Sequence, residues 1–154
     1  MNPVSMEAMN LTYLQNDVPL TAQASGGIFA YTALGRQGIM RDTHPSSYDA
    51  TGYVKPLIVL KARAPVALPD IFDEKEKIVS QSQVVEFWMY QWVGYDIIEI
   101  MGNHLHRLLQ GHKFDGYYPV MWDMVTGPMI DGGSLKGASV VRRDYYFKNI
   151  LVAV

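Results

Sequence analysis

Apolar residues recur at helical spacing in two stretches of the chain and alternate as in a strand in several others. Met6, Met9, Tyr13 and Leu14 share one side of a helix, so residues 2–16 are predicted helical. Asn2 offers a cap side chain, and Pro3 suits the first helical position, where its missing N–H costs nothing. Asp17 restarts the chain as a second cap, with a short helix to Ala24 and a stop at Gly26-Gly27. The main helix carries Ile97, Met101, His104, Leu105 and Leu108 on one face. Asp96 and Glu99 at its start resemble a capping box, and Gly111 ends it.

Strands are predicted at Ile28–Leu34, Leu57–Arg63, Gln83–Trp92, Tyr118–Thr126 and Ala138–Val154. In the third, Val85, Phe87 and Met89 fall on one side and Val84, Glu86, Trp88 and Tyr90 on the other. Large side chains on both faces imply cover on both faces, one by the domain's own helix and the other by a neighbouring subunit. Residues 64–80 read as a loop with a solvated mixed-charge run. Gly127-Pro128 and Asp131-Gly132-Gly133 read as turns. Residues 35–54 lack periodicity yet hold Ile39, Met40, Tyr48 and Tyr53, too apolar for a flexible linker, so this long irregular loop is expected to order against something. The element order predicts one α+β domain over 1–154: a mostly antiparallel, four- to five-stranded sheet with helices packed on one face.

Composition narrows the functional classes. Apolar residues are 49% of the chain and charged residues 18%, which excludes a disordered tail. No apolar run has the roughly 18–20 residues of a bilayer helix, and no basic start leads into an apolar stretch, so neither a membrane partner nor a secretory signal is expected. Cysteine is absent, which removes disulfides, thiolate metal sites and cysteine nucleophiles. A net charge of −2 does not advertise nucleic-acid binding. The 10 Tyr, 5 Phe, 3 Trp and 9 Met fit either an aromatic core or subunit contacts, where such residues are enriched.

Candidate chemistry is sparse. His104 and His106 are two apart, on different sides of a helix, whereas a helical metal pair needs i, i+4 spacing. His112 lies two turns beyond His104. Neither a nucleophile elbow nor a phosphate-cradling glycine motif occurs, and Gly132–Gly137 lacks a strand-to-helix context. Glu86, Asp96, Glu99 and Asp123 form no constellation in sequence, so no catalytic, metal or cofactor site is assigned. Arg142 and Arg143, adjacent on a strand, point to opposite faces.

Several runs together resemble one family. They are Asp17–Leu20, Gly26-Gly27-Ile28, Pro56–Val59 and the Val85-Glu86-Phe87-Trp88 strand leading through Tyr95 into the helix ending at Leu109. Over roughly residues 10–113 the chain is similar to the small tail-completion (tail terminator or neck) proteins of long-tailed bacteriophages and related prophages. The resemblance implies a non-enzymatic structural protein of the virion, assembled in the host cytoplasm into a ring, a hexamer by family analogy. Such a ring caps the tail tube at the tail–neck junction. Its partners would be further copies of itself, the tail tube protein and a head-completion or neck protein, with transient non-specific contact to DNA in the central channel. Other expectations are a head-closure or other connector ring, and a soluble small-ligand-binding protein.

On that reading each subunit meets its neighbours through unlike surfaces. The candidate subunit interface is the Trp88, Tyr90 and Trp92 face, with Leu151 and Val152 of the last strand as candidates to extend a neighbour's sheet. Intradomain packing is the alternative for both. The candidate lumen or ring-to-ring contact is the irregular loop, through Arg36, Ile39, Met40, Arg41 and Tyr48.

Overall fold

The computed structural model describes residues 2–73 and 76–153, with only the backbone described for 67–73, 76–80 and 150–153. Helix α1 (Pro3–Gln15) starts where Asn2 Oδ1 accepts from the Ser5 amide at 2.8 Å. Helix α2 (Val18–Gln23) starts where Asp17 Oδ1 accepts from the Leu20 amide at 2.9 Å. Both caps are the ones the sequence predicts. The main helix, α4 (Asp96–Leu109), begins differently: no side chain at its own N-cap closes it, so the expected capping box does not form. Gln91, on the preceding strand, reaches over instead. Its Oε1 accepts from the Ile97 and Ile98 amides at 3.0 and 3.2 Å, while Nε2 donates to the Asp96 carboxylate and to the Val93 carbonyl. The turn between strand and helix is short enough for a buried strand side chain to meet the orphan amides.

The strands are β1 (Ile28–Ala30), β2 (Leu57–Ala62), β3 (Val66–Asp73), β4 (Glu76–Gln91), β5 (Met121–Ile130) and β6 (Ser139–Ala153). They form a sheet in the order β1-β2-β4-β6-β5, and β3 shares the β2 side of β4. Only β1–β2 is parallel; every other pairing is antiparallel. The class is α+β, with one strand more than the highest number expected.

That strand corrects the reading of 64–80 as a loop. β6 offers a pairing partner along β4 from Lys77↔Ala153 to Gln91↔Ser139, so β4 continues far below Gln83, and β3 folds back against it. Pro69 is tolerated because β3 lies at an edge. The strand expected over Ile28–Leu34 ends at Ala30 and gives way to a one-turn helix, α3 (Tyr31–Leu34). The buried Glu7 of α1 draws the chain into that turn: its carboxylate accepts from the Thr32 hydroxyl at 2.6 Å and from the Thr32 amide at 3.4 Å. Gly127-Pro128, expected as a turn, lies inside β5, where the register shifts between Thr126 and Met129 and the peptide is cis. β5 is also an edge strand, and Pro128 falls within the register shift, where it has no partner on β6.

Each sheet face has its own core. On one, Ile58, Leu60, Val85, Phe87, Met89, Tyr145 and Phe147 pack against Met6 and Leu14 of α1, Leu20 of α2, and Ile98, Met101, Leu105 and Leu109 of α4. Burying each such side chain contributes about 1.5–3 kcal/mol. Gly102 allows the close approach of α4, since a Cβ there would lie 2.9 Å from Arg143 Nε. On the other face Leu57, Val59, Trp88 and Tyr90 pack against Ile39, Val54, Leu135 and Ala138, which come from the irregular loop and the β5–β6 connection. Among the described residues no helix is long and apolar enough to cross a membrane.

Candidate functional site

The loop expected to order against something orders against this chain's own second sheet face. Ser47, on a 3-10 turn at Pro45–Ser47, is buried and donates through Oγ to the Gly26 carbonyl at 2.6 Å; its own carbonyl accepts from the Lys55 amide at 2.8 Å. Tyr48 Oη donates to the Ile39 carbonyl at 3.0 Å. Asp49 Oδ1 accepts from the Thr51 amide, the Thr51 hydroxyl and the Tyr53 amide, at 2.7–2.9 Å. The Thr51 hydroxyl and these amides hold the Asp49 carboxyl below its usual range. Tyr53 then stacks on Trp92 with ring centroids 4.7 Å apart.

The two sets of sequence candidates therefore meet. Ile39 is buried and Tyr48 half-buried in the same cluster as the half-buried Trp88, Tyr90 and Trp92. The other loop candidates diverge. Met40 is 41% exposed. Arg41 lies across Gly52 of its own loop, where a Cβ would come within 2.7 Å of the guanidinium. Arg36 faces a cleft of about 370 Å³ between α3, the loop, the sheet and the β5–β6 connection. Leu151 and Val152 sit in this chain's own sheet, with backbones paired to Val79 and Ile78; their side chains lie outside the described residues.

The cleft joins aromatic walls to positive charge. Trp88, Tyr90, Val59 and Leu34 line it, together with Arg36, Lys61 and Tyr31. Lys61 Nζ stands 4.6 Å over the Tyr31 ring. Among the described residues neither Arg36 nor Lys61 reaches a carboxylate at ion-pair distance. The one carboxylate lining the cleft, Asp131, accepts from the Leu135 amide at 3.0 Å and closes the β5–β6 turn. Burial, reinforced by the Asp131 charge, pushes the Tyr90 hydroxyl well above its ordinary pKa.

Beside the cleft lies an ionic cluster that sequence reasoning missed. Asp144 is fully buried, 3.0 Å from Arg63 Nη2 and 3.1 Å from Arg142 Nε. Glu86, its cross-strand neighbour, binds Arg63 Nε at 2.7 Å and accepts from Trp88 Nε1 at 2.9 Å. The Arg142 guanidinium sits 5.4 Å over the Trp88 ring. Burial raises the Asp144 carboxyl more than Arg142 and Arg63 lower it. Burial also acts on Glu86, but hydrogen bonds from Arg63 and Trp88 and the Arg63 charge outweigh it and hold that carboxyl low. The cluster ties β4 to β6, and a hydrogen bond to a charged group of this kind contributes about 1.5–3 kcal/mol. Its members stand in different strands and a loop, so no sequence spacing announces them.

The histidines go to separate tasks. His104 Nε2 is 3.0 Å from Asp17 Oδ1, His106 Nδ1 is 2.9 Å from the buried Tyr145 hydroxyl, and His112 stacks on Tyr13 at 4.2 Å. Among the described residues no three His, Cys, Asp or Glu side chains gather to hold a metal ion.

The second missed feature is the exposure of β5, a strand the sequence does predict over Tyr118–Thr126. The strand closes one edge of the sheet and leaves Met121, Trp122, Met124, Val125 and Ile130 between 42 and 64% exposed. The signal was present in the sequence: residues 121–125 are apolar at both strand parities, around Asp123. The chain matches no protein-family model and no curated protein sequence.

Proposed function

We propose that this protein is a structural ring subunit of a long-tailed bacteriophage particle, stationed between the tail tube and the head-completion proteins. Copies of the chain would form the ring, hexameric by analogy with the resembled family, with DNA passing through its central opening.

The observation that carries the reading is the open β5 edge. A lone copy leaves an edge strand with apolar side chains on both sides in water. Such an edge is an invitation to another chain. The contact offered is between unlike surfaces, since the opposite end of the sheet is the short β1, flanked by α3 and the loop-covered face. Unlike surfaces generate rings when the rotation closes. The second-face core also refines the expected seam: the Trp88 face is occupied in large part by its own loop, leaving the cleft and the edge strand to meet neighbours.

Mass photometry and negative-stain electron microscopy, from micromolar to millimolar protein, test the proposal. Closed rings of uniform subunit number are expected. A monomer at every concentration overturns it.

A further inference from the structure

We propose that the cleft at Arg36 and Lys61 receives the Asp123 segment of β5 from a second copy of this chain, building on the ring reading above. The two surfaces are complementary in charge. The cleft holds two cations without ion-pair partners among the described residues, against one carboxylate committed to its own turn. Asp123 is the one acidic residue of β5. It is exposed, within electrostatic reach of Arg63 and the buried Asp144 but in no ion pair among the described residues.

They are also complementary in shape and polarity. The cleft's 370 Å³ accommodates one or two large side chains against Trp88 and Tyr31, and Asp123 is flanked by the exposed Met121 and Met124. Methionine is unbranched and polarizable, which suits an irregular, aromatic-walled space. Within one copy the surfaces cannot meet. Lys61, Glu86, Asp144 and Met124 form one row across β2, β4, β6 and β5, so Lys61 and the Asp123 segment are three strand spacings apart, about 14 Å. The contact must come from another molecule, and each copy has one surface of each kind to offer.

The absence of cysteine among the 154 residues allows a direct test on this chain. Lys61→Cys and Asp123→Cys are introduced singly and together, and the proteins are treated with a short bis-maleimide at high concentration. The double variant is expected to give a ladder beyond the dimer, and each single variant to remain uncrosslinked. Dimers from either single variant, a double variant that stops at dimers, or no cross-linking at all overturns the proposal.

Charge reversal is read by sedimentation. D123K or K61E alone should weaken self-association by about tenfold or more, and D123K combined with K61E should recover most of the loss. Circular dichroism checks the fold of each variant, and R36E replaces K61E should the latter unfold. Variants that assemble as well as the wild type despite these reversals refute the contact and leave the ring reading standing. Wild-type protein that never assembles refutes both. Loss of oligonucleotide binding in R36E or K61E with assembly intact assigns the cleft to phosphate instead and also overturns the proposal.

Discussion

Replacing Gln91 by alanine removes the side chain that fastens α4 to the sheet. Gln91 is buried, and its Oε1 is the acceptor for the Ile97 and Ile98 amides. A lost helix cap costs about 1 kcal/mol. The Ile98 amide, at a buried residue, is then left without an acceptor, and an unsatisfied buried group costs about 1–3 kcal/mol. The expected total is about 2–3 kcal/mol, because water can rescue the half-buried Ile97. For a domain of this length that lowers the melting temperature by about 6–9 °C. Q91E is the informative companion. It keeps an acceptor for both amides and adds negative charge at a helix N-terminus, which is favourable. It also loses the donor to Val93 and sets a second carboxylate beside Asp96, so an intermediate loss is expected. Urea unfolding at a protein concentration where sedimentation finds only monomer reads all three proteins. Q91A within 0.5 kcal/mol of wild type, taken as roughly the scatter of neutral surface changes, or Q91E as damaging as Q91A, would refute the capping role.

Three further outcomes test the second sheet face. E86Q should destabilise the isolated chain by about 1.5–3 kcal/mol at pH 7, as expected for a hydrogen-bonded charge. The Glu86 carboxyl is lowered in the folded state, so its stabilisation is present above its unfolded pKa and lost as pH falls through the folded one. The deficit of E86Q should therefore shrink in acid; a deficit that grows there contradicts the assignment. Asp144, raised by burial, has the opposite sign, favouring the fold below its unfolded pKa and less so as pH rises through the folded one. W88A should cost the monomer about 2 kcal/mol, roughly half the penalty of a fully buried aromatic, as read by thermal unfolding. An unchanged monomer that fails to assemble would place Trp88 in a subunit contact instead. S47A, which loses the hydroxyl bond to Gly26, should speed amide exchange across residues 45–55 with a global loss of about 1–2 kcal/mol; unchanged exchange means the loop is held elsewhere.

Local chemistry was legible in the sequence, and remote chemistry was not. Asn2 and Asp17 cap helices three residues away, and the alternation through Val84–Tyr90 correctly divides the strand between two faces, because the causes lie within a few residues. α3 was missed because its cause, Glu7, is 25 residues upstream. The capping box was expected because Asp96 and Glu99 have its spacing, yet Gln91 wins by being buried and able to serve both amides. The β3–β4 hairpin escaped because Pro69 and the charged run looked like loop chemistry, whereas an edge strand tolerates proline. At the candidate site, Arg36 and the Trp88 face were identified separately. Lys61 and Tyr31, which complete the cleft between them, are brought in by β2 and α3 and have no local signature.

A strand as apolar and open as β5 invites indiscriminate aggregation, and its irregularities work against this. The register slips between Trp122 and Met124 and again between Thr126 and Met129, and Pro128 removes one amide. Bulges and proline interrupt the regular row of main-chain groups that a passing strand would need. Asp123 adds a charge in the middle of the exposed run, which an apolar strand from another protein would have to desolvate unpaired. Only a partner with positive charge at that point escapes the penalty, which favours a cleft bearing Arg36 and Lys61 over a generic hydrophobic surface. Selectivity of this kind permits each contact to be weak. In a closing ring the last contact is intramolecular, at an effective concentration of about millimolar, so modest contacts yield a stable circle while open chains stay short. Weakening every contact equally then acts on the ring as a product rather than a sum, so the loss of complete rings on charge reversal should be steeper than the loss of pairwise affinity measured in the same variants.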